Sequence, residues 1–120
     1  GEKIWFKRVE GLALDAEGAL YVSDADDRCI KKITLTGKDR GTLTTVAGMC
    51  GKREFHPVYT PGDVSTAELF TPGPIAFSPK GELLFADVRL HRIIKVAAGK
   101  VSTAAGHTAI YKGAHMRGRD

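Results

Sequence analysis

The chain has little of what most functional classes need. Two cysteines among 120 residues cannot build a disulfide-rich scaffold or a four-ligand zinc site. The four histidines show no H-E-x-x-H spacing and the cysteines no C-x-x-C pairing, so zinc chemistry has no recognisable motif here. A G-x-S-x-G nucleophile elbow and a phosphate-cradling Walker loop are both missing. No stretch reaches the roughly 18 apolar residues of a membrane-spanning helix. The opening GEKIWF is not a charged-then-apolar leader. It also lacks an initiator methionine, so it says nothing about what precedes it.

What is present is ordinary in amount and unusual in order. Apolar residues make up 42% and charged residues 27%, as expected of one globular domain. The net charge of +4 suits an anionic partner but falls short of a nucleic-acid signature. Fourteen glycines and five prolines lie between short apolar runs, a distribution that favours turns over long helices.

Those runs repeat. Displaced by 63 positions, Gly11-Leu12-Ala13-Leu14 falls on Pro74-Ile75-Ala76-Phe77, and Gly18 falls on Gly81. Leu20-Tyr21-Val22 then falls on Leu83-Leu84-Phe85, Asp24 on Asp87, and Ile30, Lys32 and Ile33 on Ile93, Lys95 and Val96. After Val96 the second copy is shorter, and the copies end at Gly48 and Gly106. Each copy predicts four short strands. In the first they are Leu12–Asp15, Leu20–Ser23, Cys29–Leu35 and Leu43–Ala47. Ala13 and Tyr21 keep the alternation from leaving a polar face, and a sheet apolar on both faces needs a cover on each side. Four-stranded sheets flanked by copies of themselves are the architecture of a β-propeller. The connector carries Ser65-Thr66-Ala67-Glu68, whose capping-box spacing predicts one helical turn ending near Leu69-Phe70.

The strings GLALDAEGALYVSDADDRCIKKI…TTVAG and PIAFSPKGELLFADVRLHRIIKV…STAAG resemble the NHL repeat, the second more loosely. The resemblance covers residues 9–48 and 72–106. It implies an all-β fold: two four-stranded antiparallel blades of an NHL-type β-propeller, a fragment of a larger wheel of about six blades. Residues 1–63 would be the first blade with its trailing connector, and 64–120 the second. Cys29 departs from the family's usual Arg, which Arg92 keeps, and Ser78-Pro79 replaces Asp15-Ala16. Two blades leave sheet faces uncovered. The expectation is therefore that further blades complete the propeller, either in a longer polypeptide or as several copies in a ring.

The resemblance also implies that the second-to-third strand turns and the inter-blade connectors emerge at one end. Lys52, Arg53, His56, Arg89, His91 and Arg92 fall there, with His107 and His115, and form a candidate binding face; loops are equally where polar residues ordinarily lie. Asp24 and Asp87 end strands ahead of turns, where a carboxylate accepts backbone N–H bonds. Asp15 ends an innermost strand, a place where metal-dependent propeller enzymes hold acids, but its counterpart is Ser78. If the third and fourth strands pair as a hairpin, residue 29 lies near 49 or 50. Cys29 and Cys50 then either form a disulfide, implying an extracellular or secretory compartment, or remain a reduced, half-buried pair.

Three functions follow as expectations. The first is a non-catalytic binding or scaffold module, with a protein or the remaining blades as partner, no cofactor and no metal. The second is part of a metal-dependent lyase or hydrolase, which needs inward-facing acids or histidines from several blades. The third is RNA binding by a basic face, for which only Phe55 and Tyr59 lie near Lys52-Arg53. Fold alone does not choose among them.

Overall fold

The computed structural model describes residues 5–51, 62–65 and 67–106, and all of the regular structure there is strand. The first copy forms β1 (Val9–Leu14), β2 (Leu20–Asp24), β3 (Cys29–Ile33) and β4 (Leu43–Gly48), paired in that order as one antiparallel sheet. The second copy forms β6 (Pro72–Phe77), β7 (Leu83–Asp87), β8 (Arg92–Ala97) and β9 (Lys100–Ala105). A short β5 (Gly62–Asp63) adds to the outer edge of β9, so the second sheet has five strands. No helix occurs among the described residues, and therefore none long and apolar enough to cross a membrane.

The two copies agree in detail. Val9↔Asp24 and Pro72↔Asp87 each precede a register shift, and a second shift follows Ile30 and its counterpart Ile93. Arg28 and His91 both adopt left-handed φ, at 60° and 56°. The first hairpins use different residues for one purpose. Asp15 Oδ1 accepts the N–H groups of Glu17 and Ala19 at 2.9 Å each, and Ser78 Oγ accepts those of Lys80 and Glu82 at 3.2 and 3.1 Å. A short side-chain oxygen closing the turn two and four residues on is all this position requires. Asp15 therefore acts in its own hairpin.

Helix was expected at 65–70, and the described part of that stretch forms none. Val64 is instead anchored at both ends of its peptide, accepting from Gly48 N–H at 2.9 Å and donating to Gly99 O at 3.1 Å. Ala67 and Leu69 are buried in the core. A helical turn would point only one of those side chains inward. Burial of both, plus edge pairing by β5, outweighs a single capping box.

Pairing assigns the faces. Gly11, Ala13, Tyr21, Ser23 and Ile30 share one face of the first sheet, and Leu12, Leu14, Leu20 and Val22 the other. The second sheet turns Ile75, Phe77, Leu83 and Phe85 toward the first. Between the sheets lies one apolar cluster that includes Ile30, Ala47, Leu69, Phe85, Ile94 and Val101. Tyr21 and Phe77 meet edge to face across it, centroids 5.0 Å apart. Ser23 Oγ donates to Gly73 O at 2.7 Å, also across the gap. The inner strands come closest at Gly11, where a Cβ would stand 2.6 Å from Gly73 O. Only glycine permits that approach.

Candidate functional site

The end of the molecule bearing the β2–β3 and β7–β8 turns is built around two buried aspartates. Lys7 and Arg8 N–H donate to Asp24 Oδ2 and Oδ1 at 2.7 and 2.9 Å. Phe70 and Thr71 N–H do the same to Asp87, at 2.7 and 2.8 Å. Each carboxylate thus ties the segment entering an innermost strand to the end of the next strand. Both carboxylates are fully buried and both accept backbone N–H groups.

Asp24 has more to hold than Asp87. Lys31, only 6% exposed, places its ammonium 3.1 Å from Asp24 Oδ2, 2.7 Å from Asp27 Oδ2 and 2.7 Å from Trp5 O. Its Nζ also lies 5.4 Å from the centre of the Phe6 ring. The corresponding residue of the second copy is Ile94, buried in the core. In the sequence Lys31 has one distinguishing mark, a charge at a position its copy fills with isoleucine. A buried ammonium is tolerable only with such a complete set of partners.

Burial works to raise the pKa of Asp24. The N–H groups of Arg8 and Lys7, the Lys31 ammonium and the Asp27 N–H outweigh that effect and hold it below its ordinary 3.8. Asp15 is lowered too: desolvation opposes, but the Ala19 and Glu17 N–H groups, Tyr21 and Lys32 prevail. Both groups bind protons more weakly folded than unfolded, so their stabilisation is present above pH 3.8 and is lost as pH falls through the folded values. Unfolding midpoints in urea are expected to be level above about pH 5 and to drop below about pH 4. Asp15→Ser, which copies the Ser78 turn, should reduce that drop and change neutral stability little.

Cys29 and Cys50 are joined in a disulfide, with Cα atoms 5.1 Å apart. It fastens the connector after β4 to the start of β3, beside the bond from Gly51 N–H to Asp27 O at 3.0 Å. Asp27 and the two sulfurs lie within 4.8 Å of one another. Metal ligation requires thiolates, which a disulfide does not offer, and the Asp27 carboxylate is engaged by Lys31 and by Lys7 at 3.4 Å. With a sequence separation of 21 between the cysteines, reduction is expected to cost about 3 kcal/mol. Urea midpoints with and without reductant check it.

Of the expected binding face, Arg89 and His91 lie in the β7–β8 turn and Arg92 opens β8. The guanidinium of Arg89 sits 4.9 Å from the Phe70 ring centre, and that of Arg28 sits 5.5 Å from the same ring. Phe70 thus draws one arginine from each sheet to the seam between them. Neither Phe70 nor Arg28 was singled out in the sequence. Lys52, Arg53 and His56 lie outside the described residues, as do His107 and His115. Beside the disulfide a cleft of about 500 Å³ is lined by Trp5, Asp27, Lys31, Leu43, Thr45 and Cys50, among others.

Against known proteins, neither a family model nor a curated protein matches the chain.

Proposed function

We propose that the chain is a pair of consecutive blades of an NHL-type β-propeller that serves as a non-catalytic protein-binding or scaffold module. One observation carries this reading. The carboxylates most suggestive of a catalytic centre, Asp15, Asp24 and Asp87, are occupied by backbone N–H groups. Reactive carboxylates need a free oxygen facing a substrate; both oxygens of Asp24 and of Asp87 are taken by backbone, and Asp15 commits Oδ1 to its own turn. Two sheets with matching bulges, turns and φ values support the repeat, and face-to-face packing supports consecutive blades. The seam arginines suit a protein partner, since arginine and aromatic side chains supply much of the energy at protein interfaces. RNA is less well served: the Phe70 ring already carries two guanidinium groups, so it is a poor platform for a base. The disulfide fits an oxidising compartment.

The test compares the immobilised chain with an Arg89→Ala/Arg92→Ala variant. A defined protein retained by the first and lost from the second supports the reading. Retention of poly(U) that collapses steeply with salt would replace it with RNA binding. Tightly held metal together with hydrolytic or lyase turnover would replace it with an enzyme.

A further inference from the structure

Among the exposed large apolar residues, Leu12, Leu14, Val88 and Ile93 are the counterparts of residues that are buried in, or packed against, the contact between the two sheets. Leu12 and Leu14, 58% and 59% exposed, correspond to Ile75 and Phe77, which pack against the core. Val88 and Ile93, 47% and 38% exposed, correspond to the buried Ala25 and Ile30. The first pair lies on the free face of the first sheet and the second pair toward the free face of the second. The contact inside the chain joins two unlike faces, and each sheet repeats, on its free side, the face its neighbour uses inside. The two free faces are therefore complementary to each other.

A cavity marks the same relation. In the internal contact, Leu69 sits in a socket against Gly48, its Cδ1 only 3.0 Å from where a glycine Cβ would be, and shares the core with Ile30 and Ala47. Their counterparts on the second sheet are Gly106, Ile93 and Ala105. These line an open cavity of about 320 Å³, together with Val88, His91 and Arg92. The counterpart of Leu69 is Phe6. Leu69 is fully buried, whereas Phe6, resting on its own sheet beneath Lys31, is only half-buried. A side chain is ready at one side of the molecule and its socket is open at the other.

The geometry points to head-to-tail association with a second copy of this chain. The Leu12–Leu14 face of one copy covers the Val88–Ile93 face of the next, and Phe6 enters the cavity beside Gly106. Such a contact is heterologous, so each copy keeps one free face of each kind until a ring closes. Three positions differ: Pro74 stands where Gly11 lets β1 and β6 approach, Ala86 stands where Ser23 bonds across the gap, and Lys31 stands where the second sheet has the core residue Ile94, so two copies meet less closely than the two sheets do. The association rests on the equivalence of the two sheets and is independent of what the arginine seam binds.

Sedimentation velocity tests it directly. The wild-type chain should form species larger than one copy, growing with concentration, before the ~1 mM range of a weak contact is passed. Leu14→Glu and Ile93→Glu, each spoiling one face, should each be monomeric alone. Mixed, they should form a 1:1 dimer and nothing larger, because one good interface remains. Phe6→Ala should weaken wild-type association about tenfold. A wild-type chain monomeric throughout, a mixture that stays monomeric, or either variant forming a dimer by itself would overturn the proposal. Circular dichroism confirms that the variants fold, and Leu12→Glu with Val88→Glu is the substitute pair.

Discussion

Asp24→Ala is expected to destabilise the protein by about 3–5 kcal/mol, a large share of the 5–15 kcal/mol that holds an ordinary domain together. The substitution strips acceptors from Lys7, Arg8 and Asp27 N–H in one step. It also leaves the buried Lys31 ammonium with Asp27 as its remaining carboxylate. Removing one partner of a buried charge costs far more than the pair itself contributes, because the other charge stays out of water uncompensated. Asp87 provides the internal control. It accepts the same two backbone bonds, but its sheet has Ile94 where Lys31 stands. Asp87→Ala should therefore lose only the backbone part, about 1–3 kcal/mol. Urea unfolding at pH 7 measures both, and equal losses would show that Lys31 does not depend on Asp24.

Phe85→Ala should cost a similar amount, about 3–5 kcal/mol, for a different reason. The ring is fully buried, with Ile75 and Ile94 as its cross-strand neighbours. It faces the first sheet within the cluster that contains Ile30 and Leu69. Truncation removes the transfer energy of the ring and leaves a cavity between two sheets whose backbones are each fixed by their own ladders, so collapse is limited. Leu84, one residue earlier, points to the opposite face and should lose less on the same change. The comparison reads the midpoint at constant denaturant slope. A large Leu84 effect with a small Phe85 effect would mean the sheets pack through the other side.

Both results bear on the proposed function. The acids that could be mistaken for catalytic groups are expected to report on stability, and the phenylalanine on the contact that the free faces repeat.

Much of this was legible in the residue order. The period of 63 was visible because glycines at turns, aspartates at strand ends and alternating apolar residues each answer to a separate local constraint. Their agreement over many positions leaves few folds open. The nearness of Cys29 and Cys50 followed from the same logic, since a hairpin sets its ends side by side; that logic left open whether the sulfurs are bonded. The candidate site was less legible. A lysine reads as a surface residue until three acceptors are seen to surround it. The Arg28–Phe70–Arg89 stack joins residues far apart in the chain, from opposite sides of the seam.

By itself the sequence determined the strands, their antiparallel order, the turns and the nearness of the two cysteines, because each depends on neighbours within one hairpin or on a short connection. Tertiary structure alone decided which face of each sheet is covered. It likewise buried Ala67 and Leu69 together where a helical turn was expected, and placed Lys31 among its partners. Those outcomes depend on long-range burial, in which apolar area and unpaired charge summed over distant segments override the preference of any one segment.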